Sequence, residues 1–284
     1  MTYISNTLID KYSTGPTEAT ENGLQTTRDN VVKLLGANYD VSLQGSYKND
    51  TAIYDINDID IVAVRTSSIP HLWEDIFNDI HTKVSSFAFY KGKVTKGNKC
   101  VKLVLQNKKV DVVPAVRQDA FNGQRNSFGE PIQVFDRTKQ IVIHNYPKTH
   151  YDNGVKKNKS TNGNYKKCVR LMKNFVKNHK GTDTAPSFYL ECLVYSYSDP
   201  SFAKSSLIES FYFICNHIAN ATDFNANFKS VVGDKTIVHD TEWGSANFLK
   251  FKNYLKNKLP YLQNAVNARN TTDADKNFRL FFNI

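Results

Sequence analysis

The 284-residue chain predicts a mixed α+β fold, with a strand-bearing core over 1–145 followed by an all-helical lobe over 146–284. Three observations predict it. Up to about His144, short apolar and β-branched runs are separated by turn residues, the pattern of strands in a mixed, mostly antiparallel sheet. Beyond that point apolar residues recur at helical spacing and strand alternation stops. Hydrophobic residues at 40% and charged residues at 23% are those of an ordinary globular chain, long enough for one large domain or two lobes.

The elements follow in order. A first helix covers 17–35, with Thr17 or Ser13 near its start and Gly36 as its stop. Strands are expected at 41–44 and 58–64. Pro70-His71-Leu72-Trp73 opens a helix whose apolar residues Leu72, Ile76, Ile80 and Val84 are spaced by four. Strands at 87–94, 99–105 and 109–115 come next, the last two joined by an Asn107-Lys108 turn. The polar stretch 119–140 reads as a loop with one short strand at 132–135. The second half reads as helices at 165–178, 187–197, 205–220, 245–259 and 273–281, with Ser187 as an N-cap after Pro186 and 152–164 as a polar connector.

Three aspartates carry the chemistry. Asp58 and Asp60 lie two residues apart on the strand at 58–64, and side chains at i and i+2 share a face. Asp111 interrupts the apolar run Val110–Val113 of another strand. If the two strands are neighbours the three carboxylates can converge. Crowded carboxylates repel one another, and a pair of divalent cations relieves that repulsion. Two metals roughly 4 Å apart can clamp the attacking and leaving oxygens of an in-line displacement at phosphorus. Gly45 lets backbone approach a phosphate closely, and Ser46 adds a hydroxyl and an N–H donor. DxD and Gly-Ser are each common and weak alone. Their order here, together with a third acid inside an apolar strand, favours phosphoryl or nucleotidyl transfer.

The stretch GSYKNDTAIYDINDIDIVAV resembles the signature of the polymerase-β-type nucleotidyltransferases, and VDVVPAV is similar to their third-carboxylate strand. The combination most resembles the CD-NTases, bacterial relatives of cyclic GMP-AMP synthase and the oligoadenylate synthases. The segments 145–179 and 185–196 look like that family's helical half. The resemblance implies a polymerase-β-like core and a helical lobe with the active site in the cleft between them. It also implies a Mg²⁺-dependent synthase that takes two ions (Mn²⁺ as a substitute) and joins NTPs, ATP or GTP among them, into a cyclic di- or trinucleotide with release of pyrophosphate. The product would be a second messenger in antiphage defence, with an effector or regulator as partner. Residue by residue, it implies that Asp58, Asp60 and Asp111 hold the metals and that Gly45 and Ser46 bind the donor triphosphate. Lys173 and Ser187 would contact phosphate, and Phe188 would stack on the base. Relatives often carry Gly just before the Thr that matches Thr51; here Asn49 and Asp50 precede it.

Composition narrows the rest. Net charge is +10, and nine Lys or Arg with no acid lie between Lys156 and Lys180. Such a run attracts phosphates. Arg170, Lys173 and Lys177 recur at helical spacing, so some of the run is expected to face phosphate and the rest to be solvated. A nucleic-acid partner is the weaker reading, because only Tyr165 and Phe175 interleave the cations. The four cysteines are widely spaced, with no zinc pattern. No P-loop or G-x-S-x-G elbow is present. No apolar run approaches 20 residues and no signal-peptide pattern opens the chain, so a cytoplasmic protein without a membrane partner is expected. A template-independent RNA nucleotidyltransferase or a linear oligoadenylate synthase would carry the same acids, and a decayed nucleotide- or RNA-binding module is the non-enzymatic alternative.

Overall fold

The computed structural model describes residues 2–56, 58–66, 72–106, 108–117, 127–179, 185–221, 228–237 and 243–284. In chain order these form α1 (Asn6–Ser13), α2 (Glu18–Leu35), β1 (Tyr39–Gln44), α3 (Gly45–Lys48), β2 (Asp58–Arg65), α4 (Trp73–Ser85), β3 (Val94–Lys96), β4 (Val101–Leu105), β5 (Lys108–Arg117), β6 (Ile132–Asp136) and β7 (Ile141–Asn145). Helices follow: α5 (Pro147–Ser160), α6 (Asn164–Asn178), α7 (Ser187–Tyr195), α8 (Leu207–Asn220), α9 (Gly244–Asn267) and α10 (Thr271–Phe282). Contacts divide the chain into a sheet unit, Pro16–Asn49 with Asp55–Tyr151, and a helical unit, Met1–Gly15 with Asp50–Tyr54 and Asp152–Ile284.

In the sheet unit the strand order is β1-β2-β5-β4-β3, and β6 pairs with the far end of β5 and with β7. Only β2 and β5 run parallel; the other pairings are antiparallel. Helix α2 starts where the sequence places it, because the Thr17 hydroxyl accepts from the Thr20 N–H at 3.3 Å. It stops at Gly36, whose φ of 69° suits a residue without a side chain. Its buried stripe, Leu24, Val31 and Leu35, joins Ile76, Phe77, Ile80 and Val84 of α4 over one sheet face. Ile59, Ile61, Val110 and Val112 supply that face. The alternate residues Val62, Val64 and Ala115 point the other way and form a small cluster with Ile132 and Val134. The acids share the parity of this second face.

One expectation for the sheet is corrected and one element is added. The segment 87–94 is not a strand: Ala88–Tyr90 form a 3₁₀ turn, Gly92 turns the chain at φ 74°, and only Val94–Lys96 pair. Phe87 and Phe89 are both exposed and burial falls on Tyr90 and Val94, four residues apart, so the run lacks the period of a strand. Conversely, β7 lies in a stretch to which the sequence assigns no element. It pairs with β6 beyond a turn in which Gln140 takes φ 55°, and it is legible only from its partner, because none of its residues is fully buried. Pro70, His71 and Asn107, named in the expected helix start and turn, lie outside the described residues.

The helical unit packs an aromatic core around Phe175, Phe211, Phe248, Phe251, Phe278, Phe281 and Phe282. Side-chain caps mark its later helices: Ser206 Oγ accepts from the Glu209 N–H at 3.1 Å, and Asn270 Oδ1 from the Asp273 N–H at 2.9 Å. Ser187 is the first helical residue of α7, and Pro186 holds the cap position in extended conformation. Helix α9 continues through Pro260 to Asn267, past the end read at 259 from the helix-breaking tendency of proline. The expected connector 152–164 is mostly the second part of α5, a helix whose polar composition hides it. Among the described residues no helix is long and apolar enough to cross a membrane.

Candidate active site

Two of the three acids face each other. The parallel register of β2 and β5 sets Asp60 against Asp111. Adjacent strands lie about 4.8 Å apart, so the two carboxylates project side by side from one face. Both are half-buried. Asp58 is exposed and shares that face one pleat repeat (~6.6 Å) earlier on β2. Among the described residues, no three His, Cys, Asp or Glu side chains are close enough to hold a metal ion as they stand. The structure gives a facing pair, with Asp58 farther along the strand.

The Gly-Ser pair is built beside Asp60. The antiparallel register of β1 and β2 puts Gln44 opposite Asp60, and Gly45 and Ser46 follow as the first residues of α3. Gly45 takes φ 68°. A β-carbon there would fall 2.1 Å from Asp60 Oδ2 and 3.2 Å from Asp60 Cβ. The bare glycine is what leaves the carboxylate its room. Gly45→Ala is expected to displace Asp60 and to add roughly 1–2 kcal/mol of backbone strain. A fall in melting temperature together with a loss of turnover checks this; an alanine variant with unchanged activity would refute it.

The donor chemistry of these residues is of the kind a hard divalent cation takes. Asp60, Asp111 and Asp58 offer oxygen donors of the kind Mg²⁺ prefers. Gln44 Oε1, on the residue facing Asp60, is buried with no hydrogen-bond partner, an oxygen that a cation or its water would satisfy. Cys100 borders the same group: burial, then the neighbouring Asp111 carboxylate, pushes its thiol up to about 12.

The helical unit holds the remaining expected site residues. Lys173 is buried on α6, with its ammonium 2.5 Å from Glu191 Oε1 and 3.1 Å from both the carbonyl and the hydroxyl of Thr51. The Thr51 hydroxyl also donates to Glu191. Arg170 donates to the Ala52 carbonyl at 3.1 Å and to the backbone and carboxylate of Asp50, and Lys166 lies 3.3 Å from the same carboxylate. The basic run thus turns Lys166, Arg170 and Lys173 inward, because a cation buried this deeply requires a partner. Lys180 lies outside the described residues. Ser187 and Phe188 are exposed at the start of α7, with Lys235 Nζ 5.4 Å from the Phe188 ring centre.

Sequence reasoning missed Gln44, Cys100 and Glu191 as members of these groups. Gln44 was legible as the residue before Gly-Ser, and Glu191 as an acid inside an otherwise apolar helix. Cys100 carried no signal until the β4–β5 register was fixed.

Comparison with known proteins agrees with this architecture. Residues 152–260 match the cGAS/DncV-like nucleotidyltransferase C-terminal helical domain. The chain is 30% identical over 188 residues to the cyclic UMP-AMP synthase of Rhodothermus marinus, an alignment that takes in 57% of this chain and 65% of that protein. To a cyclic nucleotide synthase of Staphylococcus haemolyticus it is 29% identical over 255 residues, 75% of this chain and 83% of that one. The solved structure of the Rhodothermus marinus c-UMP-AMP synthase with Apcpp and Upnpp superposes with a TM-score of 0.72 at 24% identity, covering 89% of this chain and 96% of that one. Its fold is the fold of this chain.

Proposed function

Because this chain belongs to the cGAS/DncV-like nucleotidyltransferase (CD-NTase) family, we propose that it is a nucleotidyltransferase that builds a cyclic di- or trinucleotide from NTPs and releases pyrophosphate. The single observation that carries the proposal is the facing pair Asp60–Asp111 beside the Gly45–Ser46 turn.

The chain's own residues divide the work. Gly45 presents bare backbone to the donor phosphates, and Ser46 donates its N–H and hydroxyl to their oxygens. An acceptor ribose hydroxyl passes its proton to an Asp111 carboxylate oxygen. The freed oxygen attacks the donor's α-phosphorus, the bond from that phosphorus to the α–β bridging oxygen breaks, and pyrophosphate leaves. The same step between the ends of the linear intermediate closes the ring. Two Mg²⁺ ions, or Mn²⁺, held by Asp58, Asp60 and Asp111 would neutralise phosphate charge and acidify the attacking hydroxyl. Phe188 offers an exposed ring for base stacking, which contributes about 1–3 kcal/mol. Family membership suggests Lys173 and Ser187 as further phosphate contacts; Ser187 is exposed for it, whereas the Lys173 ammonium is already bound to Glu191 and Thr51. The setting we infer is cytoplasmic antiphage signalling, with an effector that reads the product.

The test is direct. Purified protein is incubated with labelled NTP pairs and Mg²⁺, then treated with phosphatase and analysed by mass spectrometry. A phosphatase-resistant cyclic product is expected. Extension of added RNA would replace the proposal with the RNA-transferase reading. No product from any NTP pair, with Mn²⁺ included, would end it.

A further inference from the structure

We propose that Lys102 and Lys109 form an anion subsite on the side of Asp111 away from the Gly45–Ser46 turn, and that it binds the 5′ phosphates of the acceptor nucleotide. The inference rests on the function proposed above.

The strand registers lay one polar row across the acid-bearing face. Gln44 of β1 stands opposite Asp60 of β2, Asp60 opposite Asp111 of β5, and Asp111 opposite Lys102 of β4. One pleat repeat earlier on β5, Lys109 stands opposite Asp58. Val101, Leu103 and Val110 are buried on the α2–α4 side, so alternation turns both lysines to the face of the acids. Both are exposed there. They are diagonal neighbours across the β4–β5 pair, with backbones roughly 7–8 Å apart. Taken from β1 outward, this face presents the Gly-Ser turn, then the acids, then the lysines.

The lysines are not spent on those acids. Each has an aspartate directly across from it, yet among the described residues neither ammonium makes a hydrogen bond or an ion pair. Lys102 leans the other way. A β-carbon on Gly97, just past the end of β3, would fall 2.7 Å from Lys102 Cε, so the bare glycine gives the lysine stem its room on the side away from β5. A compact ammonium left in this position suits a phosphate oxygen. The donor phosphates already have their place at Gly45–Ser46, on the β1 side of Asp60. The acceptor brings its hydroxyl to Asp111, and like charge drives its own phosphates away from the donor's. On the β5–β4 side they meet Lys102 and Lys109. In the first coupling that group is a triphosphate; at ring closure it is the phosphodiester just formed.

The experiment couples labelled 2′,3′-dideoxy-NTPs, which can only donate, to acceptors that can only accept. These acceptors are α,β-methylene nucleoside triphosphates and the matching bare nucleosides. The full chain is used with Mg²⁺, and thermal unfolding of each variant runs alongside. For wild type, kcat/KM with the phosphorylated acceptor is expected to exceed that with the nucleoside by about a hundredfold, roughly tenfold per lysine. Lys102→Met and Lys109→Met should each lower that ratio by about tenfold, through the KM of the phosphorylated acceptor. Lys102→Arg and Lys109→Arg, which keep the charge, should keep most of it. A ratio near one in wild type, or methionine variants that slow both acceptors equally, would overturn the subsite while the proposed function stands. If wild type couples no acceptor, both fall.

Discussion

Asp60→Asn abolishes turnover while leaving the fold as stable as, or more stable than, wild type. The amide keeps the shape of the carboxylate, so the close approach of Gly45 survives, while the charge that would face a cation is gone. The stabilisation that bound metal gives to phosphoryl chemistry is several kcal/mol. A loss of that size lowers kcat by roughly a thousandfold or more. Stability moves the other way, because Asp60 and Asp111 stand opposite each other in the β2–β5 register and like charges so placed repel. Without metal, Asp60→Asn therefore holds or raises the melting temperature, and Mg²⁺ raises it only in wild type. Cyclic-product formation and metal-dependent unfolding measured side by side check both halves. An Asp60→Asn enzyme with near-wild-type kcat would remove the facing pair from the chemistry.

Lys173→Met has the largest expected effect on stability. Wild type pairs the Lys173 ammonium with Glu191, and both side chains are about 5% exposed, at 5% and 4%. Removing the cation leaves Glu191 a buried carboxylate that keeps the Thr51 hydroxyl but has lost its ion-pair partner. Breaking one side of a buried ion pair costs about 3–5 kcal/mol. For a chain of this size each kcal/mol shifts the melting temperature by roughly 2–4 °C, so a fall near 10 °C is expected. Lys173→Met combined with Glu191→Leu should recover much of it, since two apolar residues leave no charge stranded. The pairing also separates two roles for this lysine. A group whose main partner is substrate phosphate would raise the KM for NTP and leave the melting temperature unchanged. A group whose main partner is Glu191 lowers the melting temperature whether or not NTP is present.

The sheet's chemistry was readable because it follows from a period of two. Asp58 and Asp60 had to share a face, and Asp111 stood out as one acid in an apolar strand. The parallel pairing of β2 with β5, which decides whether those faces coincide, is a long-range contact that no local pattern encodes. Helices with one apolar stripe and a hydroxyl or amide cap, such as α2, α8 and α10, were legible almost to the residue. Helix α5 was not, because helices that are polar all round lack the stripe that periodicity detects. Phe87 to Val94 misled for the opposite reason: its aromatic alternation is real, but both phenylalanines remain in water. The basic run was legible as charge and not as pairing. Composition shows positive charge and cannot show that Asp50, Thr51 and Glu191 are its partners.

The short peptide Asp50–Tyr54 counts with the helical unit although the chain on both sides of it counts with the sheet unit. Neither half of the protein is therefore one uninterrupted run of sequence. A fragment cut at residue 152 would inherit Lys166, Arg170, Lys173 and Glu191 without Asp50 or Thr51, and so would carry stranded charges into its interior. Recombination that exchanges the helical unit must therefore bring those five residues with it.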